Sequence, residues 1–198
     1  MKIKINSGFI VCLGAIFLFN SYDYALIFIS ASLVHELGHL FFLALFKIKN
    51  PELILGITGA EIISDMSRLS YKKEALVYLG GALANFICAL LCVVFLRQQF
   101  NVYVIFFFFA NFFYAFINLL PIKSLDGGRT LECVLSLFLS PFEAFRWSFI
   151  VSQAFSVGTA ALIIAFVVQG YSNITLLVLG VAILFQCIPS KPRCLSAS

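Results

Sequence analysis

The chain has 198 residues, of which 62% are hydrophobic and only 11% charged. A soluble domain carries about 25% charged residues and no more than about half apolar ones, so a soluble globule, a disordered chain and a disulfide-stapled mini-domain are excluded, leaving a polytopic membrane protein. The net charge of +4 does not point to nucleic acid, because in a membrane protein the excess of Lys and Arg sets orientation.

A span needs about 20 residues, so the length predicts about six transmembrane helices, an all-α fold in one domain, 1–198, with no sizeable soluble part. The first apolar run, 6–20, follows Lys2 and Lys4 and has no small-residue cleavage site, which predicts a retained anchor and not a signal peptide. The second run covers 24–46. Residues 51–65, PELILGITGAEIISD, are interrupted by Gly56 and Gly59 among β-branched neighbours. They read either as a short β-hairpin at the membrane surface or as an irregular loop. A hairpin there would offer a free edge on which a substrate backbone can be held extended.

Three further runs cover 74–96, 102–120 and 147–169, and a sixth covers 172–189. The stretch 121–146 contains an apolar piece, 131–139, too short to span and expected at the interface or partly inserted. Six cysteines are scattered, and they read as reduced packing residues. With the N-terminus inside and six spans threaded, Lys2, Lys4, Lys47, Lys49, Arg68, Lys72, Lys73, Lys123, Arg129, Arg146, Lys191 and Arg193 all fall on the cytoplasmic side, and Arg97 alone falls outside. That distribution predicts a multi-pass protein of the cell membrane with both termini cytoplasmic.

The two histidines of the chain, His35 and His39, flank Glu36 in SASLVHELGHLFF within the second run. On a helix, residues four apart share a face one turn apart, so both imidazoles reach one metal ion. Glu36 sits beside that face, where it can take a proton from a water on the metal. An ionised Glu near mid-bilayer costs at least roughly 2.5–3.5 kcal/mol and needs a partner. This run has no Lys or Arg before Lys47, and a zinc ion supplies that partner.

A catalytic zinc usually has three protein ligands and one open position. With no third histidine, the remaining ligand is Asp, Glu or Cys. Asp126, in NLLPIKSLDGGRT, follows the helix-breaking Pro121 and precedes Gly127 and Gly128, which are expected to permit a tight turn. Zn²⁺ with two ionised carboxylates and two neutral imidazoles sums to zero charge, which a low-dielectric site favours. The same aspartate also reads as a surface helix N-cap, and its spacing does not decide between the two. If the fourth span were straight, Asp126 would lie at the surface while His39 lies roughly 10 Å below it at 1.5 Å per residue; a break in that span or a zinc near the cytoplasmic face would reconcile them. Asn111, Tyr114 and Asn118 form one polar stripe and Gly81 with Asn85 another. Both suit interhelical hydrogen bonding, contact with substrate, or the two together.

These residues resemble a known family, the site-2 proteases, which are intramembrane zinc metalloproteases. His35-Glu36-Leu37-Gly38-His39 matches the family's first motif, and Asn118-Leu119-Leu120-Pro121 with Leu125-Asp126-Gly127-Gly128-Arg129 looks like its second. Gly80-Gly81-Ala82-Leu83-Ala84-Asn85 looks like its Gly-x-x-x-Asn element, with Ala82 where a Pro is usual. The layout is similar to the branch that processes a sporulation sigma-factor precursor, without that branch's CBS domain and without a PDZ domain. The resemblance implies one Zn²⁺ per chain held by His35, His39 and Asp126. It makes Glu36 the catalytic base and gives Asn85 and Asn118 to binding the substrate or ordering the site. It also implies a membrane-tethered protein substrate, such as a sigma-factor precursor or an anti-sigma factor, a membrane-bound regulatory protein as a further partner, and a bacterial inner membrane as the location.

Two other readings stand beside it. One is a different integral-membrane zinc peptidase with a downstream glutamate ligand, for which Glu132 and Glu143 are the candidates. The other is a metal or proton-coupled transporter, which needs several ligand sites along a path where this chain offers one His pair.

Overall fold

The computed structural model describes residues 2–5, 22–48, 52–56, 59–63 and 69–168. The first and sixth expected spans, 6–20 and 172–189, lie outside the described residues. The chain divides into two compact units, Met1–Asn118 and Leu119–Ser198.

Among the described residues, the first unit contains three helices, α1 (Tyr22–Leu45), α2 (Tyr71–Leu96) and α3 (Val102–Asn118). It also contains three strands, β1 (Lys2–Ile5), β2 (Glu52–Gly56) and β3 (Gly59–Ile63), in the order β1-β2-β3. β1 runs parallel to β2, and β2 pairs antiparallel with β3 from Glu52↔Ile63 to Gly56↔Gly59. The described parts of the Gly-broken stretch are therefore two antiparallel strands, with β3 at an edge of the sheet among the described residues. The fold is thus helical with one small sheet.

Residues 26–45 of α1 and the whole of α2 are long and apolar enough to cross a bilayer. α3 has 17 residues, about 25 Å at 1.5 Å per residue, somewhat less than a 30 Å hydrocarbon core. It ends at Asn118, two residues before the apolar run does.

The side chains of this unit are arranged inside out relative to a soluble protein. Leu26, Phe28, Leu33, Leu37 and Phe41 on α1 are exposed, while His35, Glu36 and His39 on the same helix are buried. α2 repeats the pattern, with Ile87, Leu90 and Leu91 outside and Glu74 and Asn85 inside. Water would penalise such a surface and hydrocarbon would not. α1 and α2 meet backbone to backbone, because Gly38 and Gly80 face each other. A Cβ on Gly80 would lie 2.7 Å from the Gly38 carbonyl oxygen, and one on Gly38 would overlap the Gly80 carbonyl. This close approach of small residues is how helices associate where no hydrophobic effect separates protein from solvent.

The second unit contains α4 (Asp126–Leu135) and α5 (Pro141–Val168). α4 begins earlier than the apolar piece suggests, because the first turn is Asp126-Gly127-Gly128 and is polar. α5 begins at Pro141, six residues before the apolar run. Proline suits the first helical position, and Ser140 with Glu143 closes a capping box. The Glu143 backbone N–H donates to Ser140 Oγ at 3.3 Å, and the Ser140 backbone N–H donates to Glu143 Oε2 at 3.4 Å. Residues 141–165 of α5 are the third segment long and apolar enough to span.

Candidate metal centre

His35 and His39 lie one turn apart on the inner face of α1, with ring centroids 4.7 Å apart and ring planes at 82°. Each imidazole is held through Nδ1 by a group on α2. His39 Nδ1 lies 2.8 Å from the Val77 carbonyl oxygen, and His35 Nδ1 lies 2.9 Å from Asn85 Oδ1.

These contacts fix the tautomers. A carbonyl oxygen can only accept, so His39 must carry its proton on Nδ1. The Asn85 amide nitrogen donates to the Ala31 carbonyl at 2.9 Å and to Asn111 Oδ1 at 2.8 Å. Its oxygen therefore faces His35, whose Nδ1 must be the donor. In the neutral state both rings consequently carry their lone pair on Nε2. Metal-bound histidines are held in this way, with the far nitrogen donating to a carbonyl or amide oxygen.

Gly81 leaves room at those Nε2 atoms. A Cβ built there would lie 2.6 Å from His35 Nε2 and 2.6 Å from His39 Nε2. Both Nε2 atoms thus lie within 2.6 Å of one point beside Gly81, close enough together to share an ion, and the two histidines fit a metal. Glu36, next in the chain to His35, is 8% exposed. Tyr114 on α3 packs its ring edgewise on His35 at 5.0 Å, and its hydroxyl lies 3.2 Å from Ser32 Oγ.

The second unit carries Asp126 as the first residue of α4. The N-cap is Leu125, whose side chain makes no cap hydrogen bond, so the N-cap reading of Asp126 is replaced by a place just inside the helix. The two glycines that follow serve close approach and not a left-handed turn. A Cβ on Gly127 would collide with the Leu119 and Leu120 carbonyls, and one on Gly128 with the Ile122 carbonyl. The start of α4 is therefore pressed against the backbone of residues 119–123. That segment is itself fastened to α5, where the Lys123 backbone N–H donates to Ser152 Oγ at 2.8 Å. The Lys123 ammonium lies over the Phe145 ring, 3.6 Å from its centroid. Burial pushes the pKa of Lys123 below the usual lysine value, and the nearby Glu132 partly opposes this.

Of the other expected site residues, Asn85 is fully buried with its contacts on His35, Ala31 and Asn111. Asn118 ends α3 and donates to the Tyr114 carbonyl of its own helix at 2.9 Å. Sequence reasoning missed Val77, and no side-chain pattern could have revealed it, since the backbone carbonyl is what holds His39.

No protein-family model matches the sequence, and no characterised protein matches it significantly. Among solved structures, one similar chain is the site-2 protease from Methanocaldococcus jannaschii. It matches with a TM-score of 0.68 over 96% of this chain and 92% of that one, at 19% identity. The fold resembles that of a site-2 protease. At this identity the likeness concerns architecture, and the chemistry rests on the residues above. Of the two glutamates considered for a different zinc peptidase, Glu143 is exposed and engaged with Ser140 at the start of α5.

Proposed function

We propose that the chain is an intramembrane zinc endopeptidase that hydrolyses a peptide bond within or next to the membrane segment of a membrane-tethered protein. The observation that carries this reading is the pair of Nδ1-anchored imidazoles whose Nε2 atoms converge beside Gly81. His35 and His39 with Asp126 would hold one Zn²⁺. Asp126 is the third ligand by motif and by charge, since a second carboxylate beside Glu36 neutralises the ion.

A bound Zn²⁺ supplies a Lewis acid that polarises the scissile carbonyl and makes water acidic enough to be deprotonated near neutral pH. Glu36 takes the proton from the attacking water and passes it to the leaving amine. Tyr114 and Asn85 keep His35 from turning. A helix shields its own carbonyls, so the substrate must be drawn out, at about 1–2 kcal/mol per ordered residue. The β3 edge offers main-chain hydrogen bonds that offset that cost.

The cationic residues of the loops support an active site on the cytoplasmic side with both termini there, and the family resemblance supports a bacterial inner membrane. A sigma-factor precursor or anti-sigma factor is the substrate class, and a membrane-bound regulator is a further partner.

The test is cleavage of a single-span substrate by the purified protein in lipid. Expected is a cut inside or beside the span, abolished by a zinc chelator and restored by zinc. Chelator-resistant cleavage, or zinc transport into vesicles without cleavage, would overturn the reading. Asp126→Ala is expected to weaken zinc retention as strongly as His39→Ala, measured as metal content after gel filtration. Full occupancy in the Ala variant would transfer the third-ligand role to Glu132 or a cysteine.

A further inference from the structure

The hydrogen-bond chain at His35 continues one residue beyond Asn85. Asn111 stands in the middle of α3, among phenylalanines, and is 0% exposed. An amide buried in apolar surroundings costs roughly 1–3 kcal/mol unless it is satisfied. Asn111 places Nδ2 2.8 Å from the Phe107 carbonyl oxygen, which can only accept, and this turns its Oδ1 toward Asn85. The two hydrogens of the Asn85 amide are then taken by acceptors on two different helices, Ala31 O on α1 and Asn111 Oδ1 on α3.

We propose that Asn111 is a positioning residue for the metal centre, locking from α3 the Asn85 amide that sets the tautomer and direction of His35. The proposal rests on the zinc reading of the site. Without the Asn111 oxygen, one hydrogen of a fully buried amide loses its acceptor. The Asn85 side chain relieves this by rotating, which withdraws Oδ1 from His35. The ring is then released to carry its proton on Nε2, the atom that a metal ion needs. His39 is held separately, by a backbone carbonyl, and is unaffected.

The chain has two histidines, so ¹⁵N-histidine NMR of the zinc-free protein in lipid nanodiscs resolves the question residue by residue. In the wild type both rings are expected as the Nδ1–H tautomer. In Asn111→Leu, His35 is expected to become a tautomer mixture with His39 unchanged. The zinc dissociation constant should rise about tenfold, the lower end of the effect of losing a group that orients a ligand. Activity should recover in excess zinc, as it would not if Asn111 took part in the chemistry.

An unchanged His35 tautomer with unchanged zinc affinity in Asn111→Leu would overturn the proposal. So would an equal change at both histidines, which marks general loosening. If the Leu variant does not fold, Asn111→Ser, too short to reach Asn85, carries the same comparison. A wild type that binds no zinc defeats the zinc reading instead, and the tautomer comparison still decides the role of Asn111.

Discussion

Glu36→Gln is expected to abolish peptide hydrolysis while leaving zinc content and folding intact. The carboxylate is buried at 8% exposure on the helix that carries both histidines, and the amide has nearly the same shape, so packing is preserved. What is lost is the proton acceptor. General acid–base groups contribute about 10²–10⁴-fold to rate, and Glu36 would serve in both transfers, so a loss toward the upper end is expected. Single-turnover cleavage in detergent or lipid, with metal analysis of the same sample, measures it. Wild-type turnover by the Gln variant would remove Glu36 from the mechanism.

Gly81→Ala is expected to have the second largest effect, on metal and not on chemistry. Its methyl group would stand 2.6 Å from the Nε2 atoms of both histidines, closer than van der Waals contact, so the rings must shift at the atoms proposed to hold the ion. Overpacking of this kind costs about 1–3 kcal/mol. At 1.36 kcal/mol per decade that is roughly 5- to 150-fold in zinc affinity. Chelator competition reads the affinity directly. Gly158→Ala is the control, since a Cβ there meets nothing within 4 Å and alanine favours the helix over glycine. Equal zinc affinity in wild type and Gly81→Ala would mean that the ion does not sit at the two Nε2 atoms.

The His35-Glu36-x-x-His39 spacing was sufficient to place two imidazoles on one helix face, because helical periodicity depends on local geometry alone. The four apolar runs within the described residues were legible for the same reason. Their ends were less so. α5 starts at Pro141 because a capping box extends it, and capping depends on Ser140 and Glu143, which an apolar window ignores. The pairing of the strands that end at Gly56 and begin at Gly59 was half-legible, since glycines mark a break without saying whether the flanks pair. The network behind His35 was visible only as polar residues on α2 and α3. Which amide faces which ring depends on the crossing of three helices. The Val77 carbonyl left no trace, because every residue but proline offers the same backbone groups.

The Gly38–Gly80 contact also bears on how the protein is made. α1 enters the bilayer with two imidazoles and a carboxylate, a costly load for a lone helix. Docking against α2 through the two glycines brings Val77 and Asn85 to the imidazoles through protein contacts. On the zinc reading, an ion would load into a helix pair held together by its own packing, unlike a zinc finger in which the ion drives folding. Cells short of zinc should accumulate an intact, inactive protein that a later supply of the metal switches on without new synthesis.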